Sequence, residues 1–174
     1  VVTKLNADGS DIIGSLRTGG TMQDGVNVAD LQERASQTFN STLRFYGDDS
    51  RSEVQLDAGG NIYVAAQTRS SGFPKTAGRF QQSIGGGQDG VIMKINPTCT
   101  SLQWASYLGG STDDGAFVIS IQPSTNIIYV GGATTSIDVP GNKTGSYQGT
   151  YQGGQADGFM ARISNDGTSL LKFS

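Results

Sequence analysis

The sequence predicts an all-β fold built from four-stranded antiparallel units. Three observations carry this reading. Short runs of alternating apolar residues recur along the chain, each bounded by glycine or Asn/Asp clusters, as strands and their turns require. Glycine supplies 26 of the 174 residues, about twice the usual ~7%. Helical periodicity is confined to residues 30–39, where Leu31, Ala35 and Phe39 would share one face. The runs group by fours, and radial repetition of four-stranded sheets is how a β-propeller protects its strand edges. The expected architecture is a partial β-propeller of about two and a half blades.

The elements follow in order from internal matches. Val1-Val2-Thr3-Lys4-Leu5-Asn6 is repeated as Val91-Ile92-Met93-Lys94-Ile95-Asn96 and as Phe159-Met160-Ala161-Arg162-Ile163-Ser164. A short turn and a second run come after each, beginning at Ile12, Leu102 and Ser169. The first two of these end in Gly19-Gly20 and Gly109-Gly110, followed by Asp24-Gly25 and Asp114-Gly115. Asn61-Ile62-Tyr63-Val64-Ala65-Ala66 parallels Ile127-Ile128-Tyr129-Val130-Gly131-Gly132, and Gly86-Gly87-Gln88-Asp89-Gly90 parallels Gly154-Gln155-Ala156-Asp157-Gly158. Val91 and Phe159 lie 68 residues apart, whereas Val1 and Val91 lie 90 apart. The surplus is an insertion at residues 26–50. Residues 1–25 then form the outer half of a first blade, 51–110 a second and 111–174 a third. In the third, strands are expected at 116–122, 127–134, 158–164 and 169–174. Phe117, Ile119, Ile121, Ile128 and Val130 are the expected core, with Trp104 packed between blades.

Composition removes whole classes of function. Twelve basic against fifteen acidic residues leave a net charge of −3, which fits neither a basic nucleic-acid binder nor an acidic disordered tail. No apolar run reaches the ~18 residues of a membrane helix. The single cysteine, Cys99, has no partner in the chain, and histidine is absent. Imidazole bases, His-containing triads and His–metal sites are therefore excluded.

The segment Trp104-Ala105-Ser106-Tyr107-Leu108-Gly109-Gly110-Ser111-Thr112-Asp113-Asp114 resembles the STYLGGSGDD signature of SBBP repeats, which are assigned to β-propellers of bacterial surface proteins. Asn61-Ile62-Tyr63-Val64, Phe73-Pro74 and Gly90-Val91-Ile92-Met93-Lys94-Ile95-Asn96 resemble the rest of that repeat. The likeness covers the chain apart from the insertion, and departs at Leu16-Arg17-Thr18-Gly19-Gly20, where the tyrosine is missing. It implies an exported protein at the outer surface of a bacterium, of the kind found in gliding, type IX-secreting species. It implies no enzyme activity, because structural residues define the repeat.

Each chemically suggestive cluster has a structural counterpart. Asn6-Ala7-Asp8-Gly9-Ser10-Asp11 imitates a calcium loop, but lacks the glutamate that closes an EF-hand, and its copies at Asn96 and Asn165 read as turns. Asp113-Asp114 and Asp48-Asp49 pair carboxylates, yet neighbours on a strand point to opposite faces. An aspartate before glycine is expected to accept backbone N–H bonds and fix its turn. Gly85-Gly86-Gly87 has no lysine–serine pair or following helix to make a phosphate loop. Cys99 reads as an incidental thiol. Asn40-Ser41-Thr42 and Asn142-Lys143-Thr144 match the glycosylation pattern, which carries no expectation in a bacterial protein. Phe39, Phe45, Tyr46, Tyr147 and Tyr151 are loop aromatics that would either stack on a partner or pin their loops.

Catalytic, cofactor and metal residues are accordingly expected to be none. Two function classes stay open. One is a non-catalytic structural or interaction module, with adhesion among its roles, whose partners are the remaining blades of a longer protein, other copies of the chain, or a cell-surface protein or polysaccharide. The other is part of a propeller-type polysaccharide-active enzyme. The first is favoured because only Glu33 and Glu53 represent glutamate and no histidine or tyrosine–carboxylate cluster recurs at the blade tops.

Overall fold

A computed structural model describes residues 1–25, 52–154 and 156–174. The predicted insertion, its helix at 30–39, the Asp48-Asp49 pair and the aromatics Phe39, Phe45 and Tyr46 lie outside the described residues. Among the described residues there are eleven strands and no helix. Every strand pairing is antiparallel. None of their sheets closes on itself.

β1 (Val2–Leu5) and β2 (Ile12–Leu16) form a two-stranded sheet. The second sheet has five strands. β3 (Asp24–Gly25) and β4 (Glu53–Leu56) both pair with β5 (Ile62–Thr68), which leads to β6 (Asp89–Ile95) and β7 (Leu102–Leu108). The third sheet runs β8 (Asp114–Ile121), β9 (Ile128–Thr134), β10 (Asp157–Ile163) and β11 (Leu170–Phe173).

One assignment needs correction. The repeat places Asp24 and Gly25 in the first unit, but they pair with Thr68 and Gln67 of the second sheet. The same register recurs in the third sheet, where Asp114 and Gly115 pair with Thr134 and Ala133. Further along, Glu53 to Leu56 pair with Ala65 to Ile62, as Val118 to Ile121 pair with Gly131 to Ile128. β3 and β4 together thus occupy the place of β8. The inserted residues leave and return where β8 has a bulge between Ala116 and Val118. A bulge already interrupts the hydrogen-bond ladder, so chain can exit there without breaking additional pairs.

Strand alternation explains how the sheets stack. All seven residues of β5 are buried, because both of its faces are covered. Tyr63 and Ala65 join Ile92, Trp104 and Leu108 against Ile119, Val130, Phe159 and Ile163 of the third sheet. Ile62, Val64 and Ala66 point the other way, with Val91, Met93 and Tyr107, towards Val2 and Leu16 of the first sheet. Fully burying such a side chain contributes roughly 1.5–3 kcal/mol, so the seam between the second and third sheets is the main cohesive contact, while Val2 and Leu16 of the first sheet are only partly buried. Of the expected core, Phe117, Ile119, Ile128 and Val130 are buried, and Ile121 packs against them partly exposed. The far face of the third sheet shows the other half of the alternation, with Met160 exposed between buried Phe159 and Ala161.

Loops guard two edges. Thr76 N–H donates to Ala105 O on β7, and Phe173 N–H on β11 donates to Asn142 O. Paired edges of this kind are poor templates for further strand addition.

Candidate functional site

The aspartates that open the strands bond to the loops before them. Asp114 is fully buried; its Oδ2 accepts from Gly110 N–H at 2.6 Å and Ser136 Oγ–H at 2.8 Å. Asp24 holds the corresponding place, accepting from Gly20 N–H at 2.6 Å and from the Thr68 hydroxyl. Asp89 Oδ2 accepts from Gln81 Nε2 and Gly85 N–H, and Oδ1 from Gly86 N–H at 3.3 Å. Asp157 Oδ2 accepts from Gln152 N–H at 2.6 Å. Each carboxylate thus ties the preceding loop to the start of its own strand. Asp113, only half-buried, presents its backbone carbonyl to Thr135 instead.

The structure brings together a pair that spacing did not suggest. A Cβ on Gly109 would sit 2.5 Å from Asp89 Cγ and 2.9 Å from Asp114 Oδ2, so the two carboxylates flank one glycine from different sheets. Burial pushes Asp89 up to about 6, against the Gly85 and Gly86 amides and with help from the charge of Asp114. Burial also raises Asp114, although its hydrogen bonds oppose the shift. The signal was present in the recurring Asp-Gly dipeptides, but their proximity depends on the stacking of two sheets.

Gly85-Gly86-Gly87 is not arranged to cradle a phosphate. The Gly85 and Gly86 amides are turned onto Asp89. Side chains there would meet backbone: a Cβ would lie 2.1 Å from Gly110 O at Gly85 and 1.8 Å from Thr112 O at Gly86. These glycines allow the loop before β6 to lie directly on the loop before β8.

The oxygens of the calcium-like loop are spent on its own turn. Asn6 Oδ1 accepts from Asp11 N–H, and Asp8 Oδ1 accepts from the Ser10 amide and hydroxyl. The copies behave alike: Asn96 Oδ1 accepts from the Thr100 and Ser101 amides, and Asp166 Oδ1 from the Thr168 amide and the Ser164 hydroxyl. Asn142 Oδ1 accepts from Thr144 N–H, again a local turn. Among the described residues no group of three His, Cys, Asp or Glu is placed to hold a metal ion.

Two inter-sheet grips recur at matching positions. Lys94 Nζ donates to Asn165 Oδ1 at 3.0 Å, and Lys4 Nζ donates to Pro97 O at 2.7 Å. Around the first of these, Tyr63 Oη stands 2.6 Å from Asn165 Oδ1, and Trp104 Nε1–H donates to Asn165 O at 3.1 Å. Trp104, 3% exposed, therefore lies between the second and third sheets. In the second grip Cys99 takes part. Its thiol is buried and lies 3.4 Å from Val2 O, under the first sheet. The Cys99 backbone is left-handed at φ 55°, the conformation that glycine holds in the copies of this turn, at Gly9 and Gly167.

The loop aromatics divide. Tyr147 and Tyr151 line one open cavity of about 430 Å³ together with Ile137, Lys143 and Met160. Tyr151 Oη–H donates to Gly154 O at 3.0 Å, pinning its own loop, whereas Tyr147 is fully exposed. No helix among the described residues is long and apolar enough to cross a membrane. No family model matches the chain, and no curated protein matches it.

Proposed function

We propose that residues 1–174 are successive blades of a β-propeller that serves as a non-catalytic structural or interaction module of an exported bacterial surface protein, akin to the SBBP repeat proteins. The observation that carries this reading is the repeated stacking step. Lys4 grips Pro97 O and Lys94 grips Asn165 Oδ1, one contact per sheet, with 68 residues between the two acceptor positions. A stack that advances each time by a lysine reaching the matching turn of the next sheet fits radial repetition. The non-catalytic part rests on the strand-opening aspartates, each of which commits its Oδ2 to an amide of the loop before its strand.

Electron microscopy of the longer polypeptide containing these residues tests the architecture. Successive four-stranded sheets related by one constant rotation about a common axis are expected; sheets related by any other operation would refute it. Protease accessibility on intact cells tests the surface location, and a polysaccharide-degradation screen tests the function class. Turnover that disappears in Asp114→Asn would replace the module with an enzyme.

A further inference from the structure

The third and second sheets carry apolar residues at matching positions in the same register, yet their burial differs. Ile119 pairs with Val130 as Val54 pairs with Val64, and Ile121 pairs with Ile128 as Leu56 pairs with Ile62. Ile119 is 3% exposed, but Val54 is 51% and Leu56 58% exposed. What covers β8 is the second sheet, through β4, β5 and β6. Across a groove from β4 stands β1 of the first sheet, whose β1 and β2 match β6 and β7 in sequence. Strands matching β4 and β5 are not among the described strands of that sheet.

Two consequences coincide in one place. β6 is paired on both sides by β5 and β7, and β10 by β9 and β11, whereas β1 pairs with β2 alone. Beside that unpaired edge lies a groove of about 740 Å³, lined by Val1, Leu5, Val54, Leu56, Val64 and Met93 among others. It continues the apolar seam by which Val2 and Leu16 already pack on the second sheet. An unpaired edge beside an apolar face is the arrangement that strand addition uses: backbone bonds hold the incoming strand and alternate side chains fill the face.

Resting on the stacked-blade reading above, we infer that this groove is the docking site for a β-hairpin from outside residues 1–174 that carries the pattern of β4–β5 and pairs antiparallel with β1. The expected chemistry of that hairpin follows from the next seam. There Tyr63 and Ala65 point into the third sheet, and Glu53 Oε2 accepts from Ile119 N–H at 2.8 Å. The occupant should therefore present an aromatic and a small residue two apart on one strand, and an acidic residue on its partner strand.

The probe is a fluorescein-labelled peptide with the sequence of residues 52–68, titrated with the 174-residue chain and followed by anisotropy. Saturable binding is expected, with a scrambled peptide inert. Leu56→Asp should weaken it at least about tenfold, equivalent to ~1.4 kcal/mol, and Met160→Asp on the far face should leave it unchanged. Leu56 is exposed, so its variant should fold; Leu5→Asp, from the opposite wall, is the second variant. Hydrogen exchange should show new protection in β1. Parallel labelling of Cys99 separates the possible failures. No binding while the thiol stays protected overturns the docking site and leaves the stack standing. A freely reactive thiol means the first sheet is not seated, and overturns both. Binding indifferent to Leu56→Asp and Leu5→Asp also overturns the inference. So does a dimer of the chain alone that Leu56→Asp dissolves, since the occupant would then be a second copy.

Discussion

Gly9 and Gly167 hold the same position of the same turn, one in the first sheet and one in the third, with φ +74° and +68°. An alanine at either must adopt a left-handed backbone, costing about 1–2 kcal/mol. At Gly9 a Cβ meets nothing within 4 Å, so the cost should stop there. At Gly167 it would lie 2.8, 2.9 and 3.0 Å from three atoms of the Trp104 ring. That ring is buried and tethered through Nε1 to Asn165 O, so it cannot swing aside. Overpacking should add about 1–3 kcal/mol, making Gly167→Ala roughly 2–5 kcal/mol in all. Urea unfolding measures both, and the midpoints should differ with m unchanged, given m of about 1–3 kcal/mol/M for a small protein. Trp104 is the only tryptophan, so its emission reports directly from the contact. In a Trp104→Leu background the obstruction is gone, and Gly167→Ala should cost no more than Gly9→Ala; a double-mutant cycle isolates that coupling. Equal costs for the two glycines in the parent chain would refute the placement of the third-sheet turn on Trp104.

Asp89 should make stability fall as pH rises. With its folded value near 6 against an ordinary 3.8, its contribution is complete below about pH 4 and lost as pH climbs through 6, up to about 3 kcal/mol. Asp89→Asn, followed by chemical denaturation between pH 4 and 7, should flatten that component; a wild-type-minus-variant difference constant across the range would contradict it. Asp114→Ala strips the buried Gly110 N–H of its acceptor and should cost about 1–3 kcal/mol by the same denaturation assay, with Asp114→Asn milder. Cys99→Gly relieves a left-handed non-glycine residue, gaining about 1–2 kcal/mol, and gives up a buried thiol of similar worth. Its melting should therefore shift little, and a large loss would show that the thiol's packing dominates.

Much of this molecule was legible in one dimension, because the information is local or periodic. Alternation at Phe117, Ile119 and Ile121 marked a strand, and the structure packs Ile119 and Ile121 against the second sheet. Phe117 sits at the bulge, and Ala116 takes its place on that face. The turns after Asn6, Asn96 and Ser164 were readable because their side chains bond within five residues. The aspartate–glycine dipeptides were readable in part for the same reason, since Asp114 reaches back four residues to Gly110, whereas its bond to Ser136 comes from a neighbouring strand.

What the sequence could not determine is which surface covers which. Period two says that a residue faces a side of its sheet, and is silent on whether another sheet lies there. Val54 and Ile119 are therefore indistinguishable as sequence, and differ only because the second sheet covers one and the first leaves the other open. Asp24-Gly25 looked like the close of the first unit until its pairing with Thr68 placed it in the second sheet. Asp89 and Asp114 meet across Gly109, and Cys99, an incidental turn thiol by sequence, is buried under the first sheet, through the same cause. These are contacts between sheets, fixed by long-range packing of apolar faces, and they exist only once the chain has stacked.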